Sequence, residues 1–427
     1  GYDATQLNFS ADIMATDALK LGLAGFALDS EGDFDEFGGD GTPPFDEFTT
    51  TKTRALRGFA EFQTGAVQHT VSAQKYTNDR VSNSNGFASP FDSERRRVDY
   101  IGTYSASEQL TYSFGADWER ESFDSGFDSG ETDTSGVFGE ILYAPTSGLD
   151  LSGSLRYGDH STFGGKATGR LAAAYRFGDA TVLRAVAATG FRAPSLYELN
   201  STLYGNSALQ PEESTSFELG LEHSFSPAAT VRATAFYTEI DNLIQFVTLS
   251  FVPTFTGQYQ QAAGTSTSKG LELPGDYALS DALSLFANYT YTDSEQKSGA
   301  DKGQPLTNTP QHLANAKLNW QASDRIDLWL RGEYRGERAR FSSSYANLAN
   351  ANGSYSSNQA LYDALGKNTK AYTLFHLGGS LQATENLTFN ATIYNLFDKE
   401  YIASCYSTSF CYYGAERSVT ATLTYDF

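Results

Sequence analysis

The sequence predicts an all-β chain that crosses a membrane as an antiparallel β-barrel. Three observations predict it. Apolar and polar residues alternate with period two in runs of about ten residues, the length of a tilted strand crossing a bilayer. The connections between these runs alternate short and long. No uninterrupted apolar run approaches the roughly 18–20 residues that a membrane-spanning helix needs.

The alternation is legible along the whole chain. Leu110, Tyr112, Phe114, Ala116 and Trp118 alternate with Thr111, Ser113, Gly115, Asp117 and Glu119. Val231, Ala233, Ala235 and Tyr237 share one face, as do Leu387, Phe389, Ala391 and Ile393. The last segment sets Val419, Ala421, Leu423, Tyr425 and Phe427 against Ser418, Thr420, Thr422, Thr424 and Asp426. An apolar face with aromatics near its ends, backed by a polar face, suits lipid outside and water or protein inside. A soluble sandwich is the alternative, with shorter strands and regular short turns.

Short connections are expected near 16–18, 106–109, 178–180, 226–229, 280–282, 323–325 and 384–386. Long polar ones are expected at 29–51, 79–95, 121–134, 193–213, 293–310, 338–370 and 399–416. Outer-membrane barrels have short periplasmic turns and long extracellular loops. The count is about 19 strands. The first and last then run in the same direction, and single-chain bacterial barrels have even strand numbers. Open edges in lipid would strand backbone polar groups at several kcal/mol each. N-terminal strands of the native protein are therefore expected to be missing from the chain.

Composition narrows the function. Of 427 residues, 30 are Lys or Arg and 51 Asp or Glu, a formal net charge of −21. That balance argues against a nucleic-acid partner, which would require a basic footprint. Two cysteines exclude a disulfide-rich scaffold or a cysteine-based metal domain. The chain opens on Gly1 with no visible signal peptide, and so reads as a processed or excised segment. His69, His160, His223, His312 and His376 are scattered without metal-ligand spacing. Gly164-Gly165-Lys166 lacks the strand–loop–helix context of a phosphate loop. An enzyme is not expected.

Several motifs carry a resemblance. Thr189-Gly190-Phe191-Arg192-Ala193-Pro194-Ser195-Leu196 is followed by Tyr204-Gly205-Asn206, Leu209-Gln210-Pro211-Glu212-Glu213-Ser214 and Glu218-Leu219-Gly220. Gly270-Leu271-Glu272, Pro310-Gln311-His312, Asn395-Leu396-Phe397-Asp398-Lys399-Glu400-Tyr401 and the terminal Phe427 complete the series. In this order and spacing they resemble the barrel of TonB-dependent outer-membrane receptors, over roughly 1–427. The resemblance implies a 22-strand parent barrel in a Gram-negative outer membrane, enclosing an N-terminal plug whose TonB box couples to the inner-membrane energy complex. This chain has neither a plug-like segment nor a TonB box. It is expected to supply a single barrel domain, beginning near the family's fourth strand, with the TonB complex reached only through the missing plug.

The implied ligand is a ferric siderophore, with cobalamin as runner-up. A passive or engineered pore and a purely structural or adhesive barrel are the alternatives of different class. Pro194 and Pro211 bend the chain out of the sheet. Arg192, two residues before Pro194, either shapes the loop entry or contacts ligand. Arg331, Glu333, Arg335 and Glu337 share a face opposite Leu328 and Leu330, so they are expected to face the lumen, with Arg338 and Arg340 continuing into the loop. They read either as a wall attracting an anionic chelate or as an internal ion-pair ladder. Arg95-Arg96-Arg97 either serves the same end or anchors its strand near lipid phosphates. Tyr204, Phe255, Tyr259, Phe341, Tyr345, Tyr406, Phe410, Tyr412 and Tyr413 are expected in the outer loops, where aromatic faces stack on planar chelating groups. Asp29, Asp33, Asp35 and Asp40 belong to an acidic stretch that reads either as a solvated loop or as a calcium cage; no other cofactor is implied. A Cys405–Cys411 disulfide is expected, because export passes through an oxidising compartment and hydroxamate-siderophore receptors carry such a pair in their last loop.

Overall fold

The computed structural model describes residues 1–34, 47–84, 86–250, 256–299, 301–339, 368–405 and 411–426. Nineteen strands form one sheet. In chain order they are β1 (Tyr2–Thr16), β2 (Leu19–Asp33), β3 (Phe48–Thr64), β4 (Val67–Ser84), β5 (Phe87–Ser107), β6 (Leu110–Asp124), β7 (Ser129–Thr146), β8 (Leu149–His160), β9 (Gly164–Phe177), β10 (Thr181–Arg192), β11 (Glu212–Ser226), β12 (Ala229–Asp241), β15 (Thr265–Ser280), β16 (Leu283–Gln296), β17 (His312–Ser323), β18 (Ile326–Arg335), β21 (Tyr372–Thr384), β22 (Leu387–Tyr394) and β25 (Ser418–Tyr425). Each pairs antiparallel with its neighbours in that order. Three small hairpins stand off the sheet on the side of the long connections. They are β13 (Ile244–Ser250) with β14 (Thr256–Gln261), β19 (Arg338–Ala339) with β20 (Asn368–Thr369), and β23 (Ile402–Cys405) with β24 (Cys411–Tyr413). The one helix among the described residues is α1 (Leu196–Asn200).

The expected strand count of 19 is met, and β1 and β25 run in the same direction. No pairing joins them among the described residues. Among the described residues no helix is long and apolar enough to cross a membrane.

Register shows which face is which. Directly opposed residues lie on the same side of an antiparallel pair. The row Ile141–Gly153–Leu171–Ala187–Phe217–Tyr237 crosses six strands without a polar break until its tyrosine hydroxyl. Trp118, Val137, Leu155, Leu219, Leu330, Leu377 and Leu423 lie on this same apolar face, all exposed. The opposite face is polar yet more buried: Ser72 is 2% exposed, and Asp117 and His376 are 8% exposed. On this face side chains converge across non-adjacent strands. Arg156 on β8 passes over β7 to reach Asp117 on β6, with Nη1–Oδ1 2.5 Å and Nη2–Oδ2 2.9 Å. Convergence and burial make the polar face concave and the apolar face convex. That is inside-out for a water-soluble protein and correct for lipid.

Two expectations need correction. The stretches 79–95 and 121–134 are not long loops. Strands β4 and β5 stay paired from Asp79↔Asp92 to Ser84↔Phe87, and β6 and β7 to Asp124↔Ser129. The strands are 15–21 residues long there, not about ten. Beyond the apolar band both faces meet water, so polar residues occupy both and the alternation that marks a strand disappears.

The family-like motifs do backbone work. Asn395 and Asp398 have φ of 48° and 52°, the left-handed region that Asn and Asp tolerate best among residues with a Cβ. Asn395 accepts from the Lys399 amide at 2.9 Å and donates to the Lys399 and Ala415 carbonyls at 3.0 and 3.1 Å. It thereby ties both ends of the β22–β25 connection. At Gly270 a Cβ would sit 1.9 Å from the Tyr291 carbonyl oxygen and 2.6 Å from the Phe236 ring, so only glycine fits.

Candidate functional site

The concave face at the long-connection end carries the candidate site. Its first part is an aromatic chain. Phe91 stacks on Phe123 at 5.6 Å, Tyr197 of α1 lies edge-on to both at 6.0 and 6.2 Å, and Tyr259 meets Tyr197 at 6.4 Å. Phe246 joins Tyr259 to Tyr204 at 5.4 and 5.5 Å. This cluster fixes 193–212 against the β13–β14 hairpin. Backbone bonds reinforce it, from the Tyr259 amide to the Tyr204 carbonyl at 2.9 Å, and from the Gln258 side chain to the Gly205 carbonyl at 3.1 Å.

α1 is short, but its start is well specified. Ser195 accepts from the Glu198 amide and the Glu198 carboxylate accepts from the Ser195 amide, a capping box. Arg192, at the end of β10, is held by carboxylates. Its Nε and Nη2 donate to Glu212 at 2.7 Å each, and Nη1 to Glu198 at 3.2 Å. Of its two readings, this geometry is the loop-shaping one: the guanidinium clamps the base of 193–211.

A second tie holds this loop to the β6–β7 turn. The Thr202 amide and hydroxyl donate to Asp128 Oδ1 at 3.0 and 2.5 Å. These bonds hold the Asp128 carboxyl below its usual range, led by the Thr202 hydroxyl. A depressed folded-state pKa contributes stability that is full above the unfolded value, near 3.9, and is lost as pH falls through the folded value. As the pH falls below about 4 this tie between 196–206 and the turn should therefore weaken progressively. Faster amide exchange there at pH 3, abolished as a pH effect by Asp128→Asn, is the expected result. An exchange profile independent of pH after correction for intrinsic rates would contradict it.

From the aromatic chain down the same face toward the short turns, cations lie over rings at three successive levels. Arg80 lies 5.2 Å from the Phe91 centroid, Arg95 5.9 Å from Tyr76 and Arg57 5.0 Å from Phe59. Register places all six residues on the concave face of β3–β5. None of the three arginines has a carboxylate within ion-pairing distance among the described residues. Arg97, two residues along β5 from Arg95 on the same face, is by contrast bound to Asp99 and Glu119, both at 3.5 Å.

The other sequence candidates separate. Arg331 is on the concave face and pairs with Glu333 at 2.6 Å, and Glu333 also faces His376 at 3.5 Å. Of the expected ladder this supplies one Arg–Glu pair, Arg331 with Glu333. Arg335 is exposed on the same face and has no carboxylate partner among the described residues. Arg338 is 3% exposed. It lies over Tyr372 and donates to the Ile402 carbonyl at 2.9 Å and to the Ala403 carbonyl, so it grips the β23–β24 hairpin. Cys405 and Cys411 close that hairpin as a disulfide, as expected. Tyr412 and Tyr413 are exposed on it. Arg340, Tyr406, Phe255, Phe341, Tyr345 and Phe410 lie outside the described residues, as do Asp35 and Asp40. Asp29 pairs with Arg54 at 2.7 Å, and Asp33 with the Gly1 ammonium. Among the described residues no group of three potential ligands could hold a metal ion.

A family model described as "TonB dependent receptor-like, beta-barrel" matches residues 2–396. An iron-regulated outer membrane virulence protein of Vibrio cholerae serotype O1 is 31% identical over 233 residues, covering 50% of this chain and 32% of that protein. The vitamin B12 transporter BtuB of Photobacterium profundum is 28% identical over 420 residues, 96% of this chain and 62% of that protein. The chain thus spans less than two thirds of either relative. Among solved structures, the ferric enterobactin receptor PfeA of Pseudomonas aeruginosa, in complex with BCV-L6, superposes with a TM-score of 0.80 at 18% identity. The match covers 100% of this chain and 70% of that one. At that identity the likeness concerns the fold.

Proposed function

Because this chain belongs to the TonB-dependent receptor β-barrel family, we propose that it forms the outer-membrane wall of an uptake receptor whose ligand is an anionic ferric siderophore. The observation that carries the ligand class is the set of concave arginines over aromatic rings, Arg57, Arg80 and Arg95. Guanidinium groups with no ion-paired carboxylate among the described residues keep donors for a ligand, although Arg95 opposes Glu121 across the ladder, and the adjacent rings offer faces to planar chelating groups. In the whole protein, loops and a plug bind the chelate, and TonB acts on the plug to open a path along this wall. Arg335 extends the cationic surface.

Cobalamin uptake is the second reading, favoured by the match to a vitamin B12 transporter over 96% of this chain. Calcium in the acidic 29–51 connection would accompany it.

The test uses the full-length parent in cells lacking other receptors. Growth under iron starvation on added siderophores should depend on it and on TonB. Arg80→Ala with Arg95→Ala should weaken uptake about tenfold or more, as loss of charge-assisted bonds predicts, at unchanged surface level. Rescue by cobalamin alone, with calcium-dependent binding, would replace the siderophore reading. TonB-independent passage of small solutes would favour a pore.

A further inference from the structure

The concave face is not uniform around the sheet. Over β5–β8 its ions are tied to one another, Arg156 to Asp117 and Arg97 to Asp99 and Glu119. At the other end of the sheet, register lays neutral rows side by side on β21, β22 and β25. Two of them are Ser380–Asn390–Thr422 and Gln382–Thr388–Thr424. The alternating residues, Leu377 and Ile393 among them, hold the apolar convex side. No side-chain hydrogen bond among the described residues engages the hydroxyls and amides of these rows. On β25 every concave position from Ser418 to Thr424 carries a hydroxyl, a column of about 20 Å that runs down to the short-turn end.

Two side chains mark the outer mouth of this surface. Trp329 of β18 opposes Gly378, and a Cβ on that glycine would lie 2.4 Å from the indole. The ring therefore lies across the β21 backbone, in the row directly above Ser380, with Lys317 5.0 Å from its centroid. Two residues further out on the same face, His376 is 8% exposed. Its Nδ1 accepts from the Asn395 amide at 3.2 Å, so in the neutral ring the proton sits on Nε2. That N–H is buried without a hydrogen bond, Glu333 Oε1 standing 3.5 Å away. Buried polar groups are as a rule hydrogen-bonded, and an orphan donor at the head of an unbonded polar surface points to a ligand.

A solute that must leave as readily as it enters needs weak contacts repeated along its route. Hydrogen bonds to ionised groups are roughly twice as strong as neutral ones, so a charged wall holds a ligand where a hydroxyl and amide wall releases it. Resting on the uptake reading above, we infer that the concave rows of β21, β22 and β25 are the track along which the ligand moves toward the short-turn end. Their hydroxyls and amides bond in succession to its uncharged polar groups. At the mouth Trp329 stacks on the ligand and His376 Nε2 donates to it. The arginine-bearing wall of β3–β5 captures the ligand, and this wall passes it on.

The test uses the full-length parent in cells lacking other receptors, with ferric enterobactin and cyanocobalamin as probes. Asn390→Cys and Thr422→Cys are compared with Ser113→Cys and Ser154→Cys, short concave positions in a row with Glu140 and Arg170. Cys405 and Cys411 are joined to each other and stay silent. Because thiol reactivity follows access, a membrane-impermeant maleimide added outside should label the two track cysteines about tenfold faster during TonB-driven uptake than without it. The two control cysteines should react at an unchanged rate. Asn390→Trp/Thr422→Trp should lower the maximal uptake rate about tenfold or more by obstructing the route, with surface binding of the probe unchanged; Ser113→Trp/Ser154→Trp should not. Faster labelling of the control pair, no change at the track, or normal uptake by folded Asn390→Trp/Thr422→Trp would each overturn the track while TonB-dependent uptake by the wild type stands. Absence of that uptake for both probes strikes the uptake reading itself, and the track with it. Heat-modifiable gel mobility checks folding; if the tryptophan pair misfolds, the cysteine rates decide alone.

Discussion

Leu219→Arg should destabilise the protein in a bilayer by about 2–4 kcal/mol, while Glu218→Arg, one residue away, should change stability by about 0.5 kcal/mol or less. Both residues lie in the middle of β11 and both are exposed. Burial alone would predict the same outcome for the two. The difference comes from the face. Leu219 opposes Ala185 and Ala235 on the convex side, and Glu218 opposes Val186 and Phe236 on the concave side. A charge at Leu219 must be buried in hydrocarbon or must distort the lipid; a charge at Glu218 stays in an aqueous or protein-lined lumen. Urea unfolding in phosphatidylcholine vesicles measures both. Equal costs would mean that the faces are assigned wrongly, or that the strands do not sit in lipid.

Arg156→Ala should cost about 2–4 kcal/mol, because it leaves the Asp117 side chain, 4% exposed, without its cation. Breaking a fully buried pair costs about 3–5 kcal/mol. Arg156 keeps 35% of its side-chain surface, so solvent relieves part of that. Gly136 makes the pair possible: a Cβ there would lie 2.2 Å from Arg156 Nη2. The clashing atom ends a flexible side chain, so Gly136→Ala should be tolerated sterically but should displace the guanidinium. Its effect should be absorbed in the Arg156→Ala background. A double-mutant cycle tests this, and strict additivity would show that the glycine serves backbone conformation instead.

Much of the sheet was legible because lipid imposes a strict period. Each predicted short turn is a turn, and the faces deduced for Leu328, Leu330, Arg331 and Glu333 are those observed. Legibility failed where lipid stops. Over 79–84 and 87–95 the chain is strand, but with water on both sides nothing enforces alternation. α1 had a readable start in Ser195-Leu196-Tyr197-Glu198, but five residues give no helical period. The hairpin of β13 and β14 was hidden in a region read only as outer loop. At the site, Arg338 looked available beside Arg335 because sequence cannot show a hairpin folding over it. Arg57 and Arg80 looked like ordinary polar positions, since their rings come from other positions and, for Arg80, from the next strand. The Arg331–Glu333 pair was foreseeable, as residues two apart share a face.

The unbroken ladder from β1 to β25 has a mechanical consequence. Neighbouring strands are joined by seven or more residue pairs at every step, and at the short-turn end Arg184–Glu222–Arg232–Asp276 adds side-chain links across four strands. Separating any two neighbouring strands of this sheet means rupturing a whole row of bonds at once, and strand number, tilt and stagger together set a barrel's girth. The wall is therefore stiff against dilation. On the uptake reading proposed above, such a wall would be the fixed frame against which the moving parts of the whole protein work.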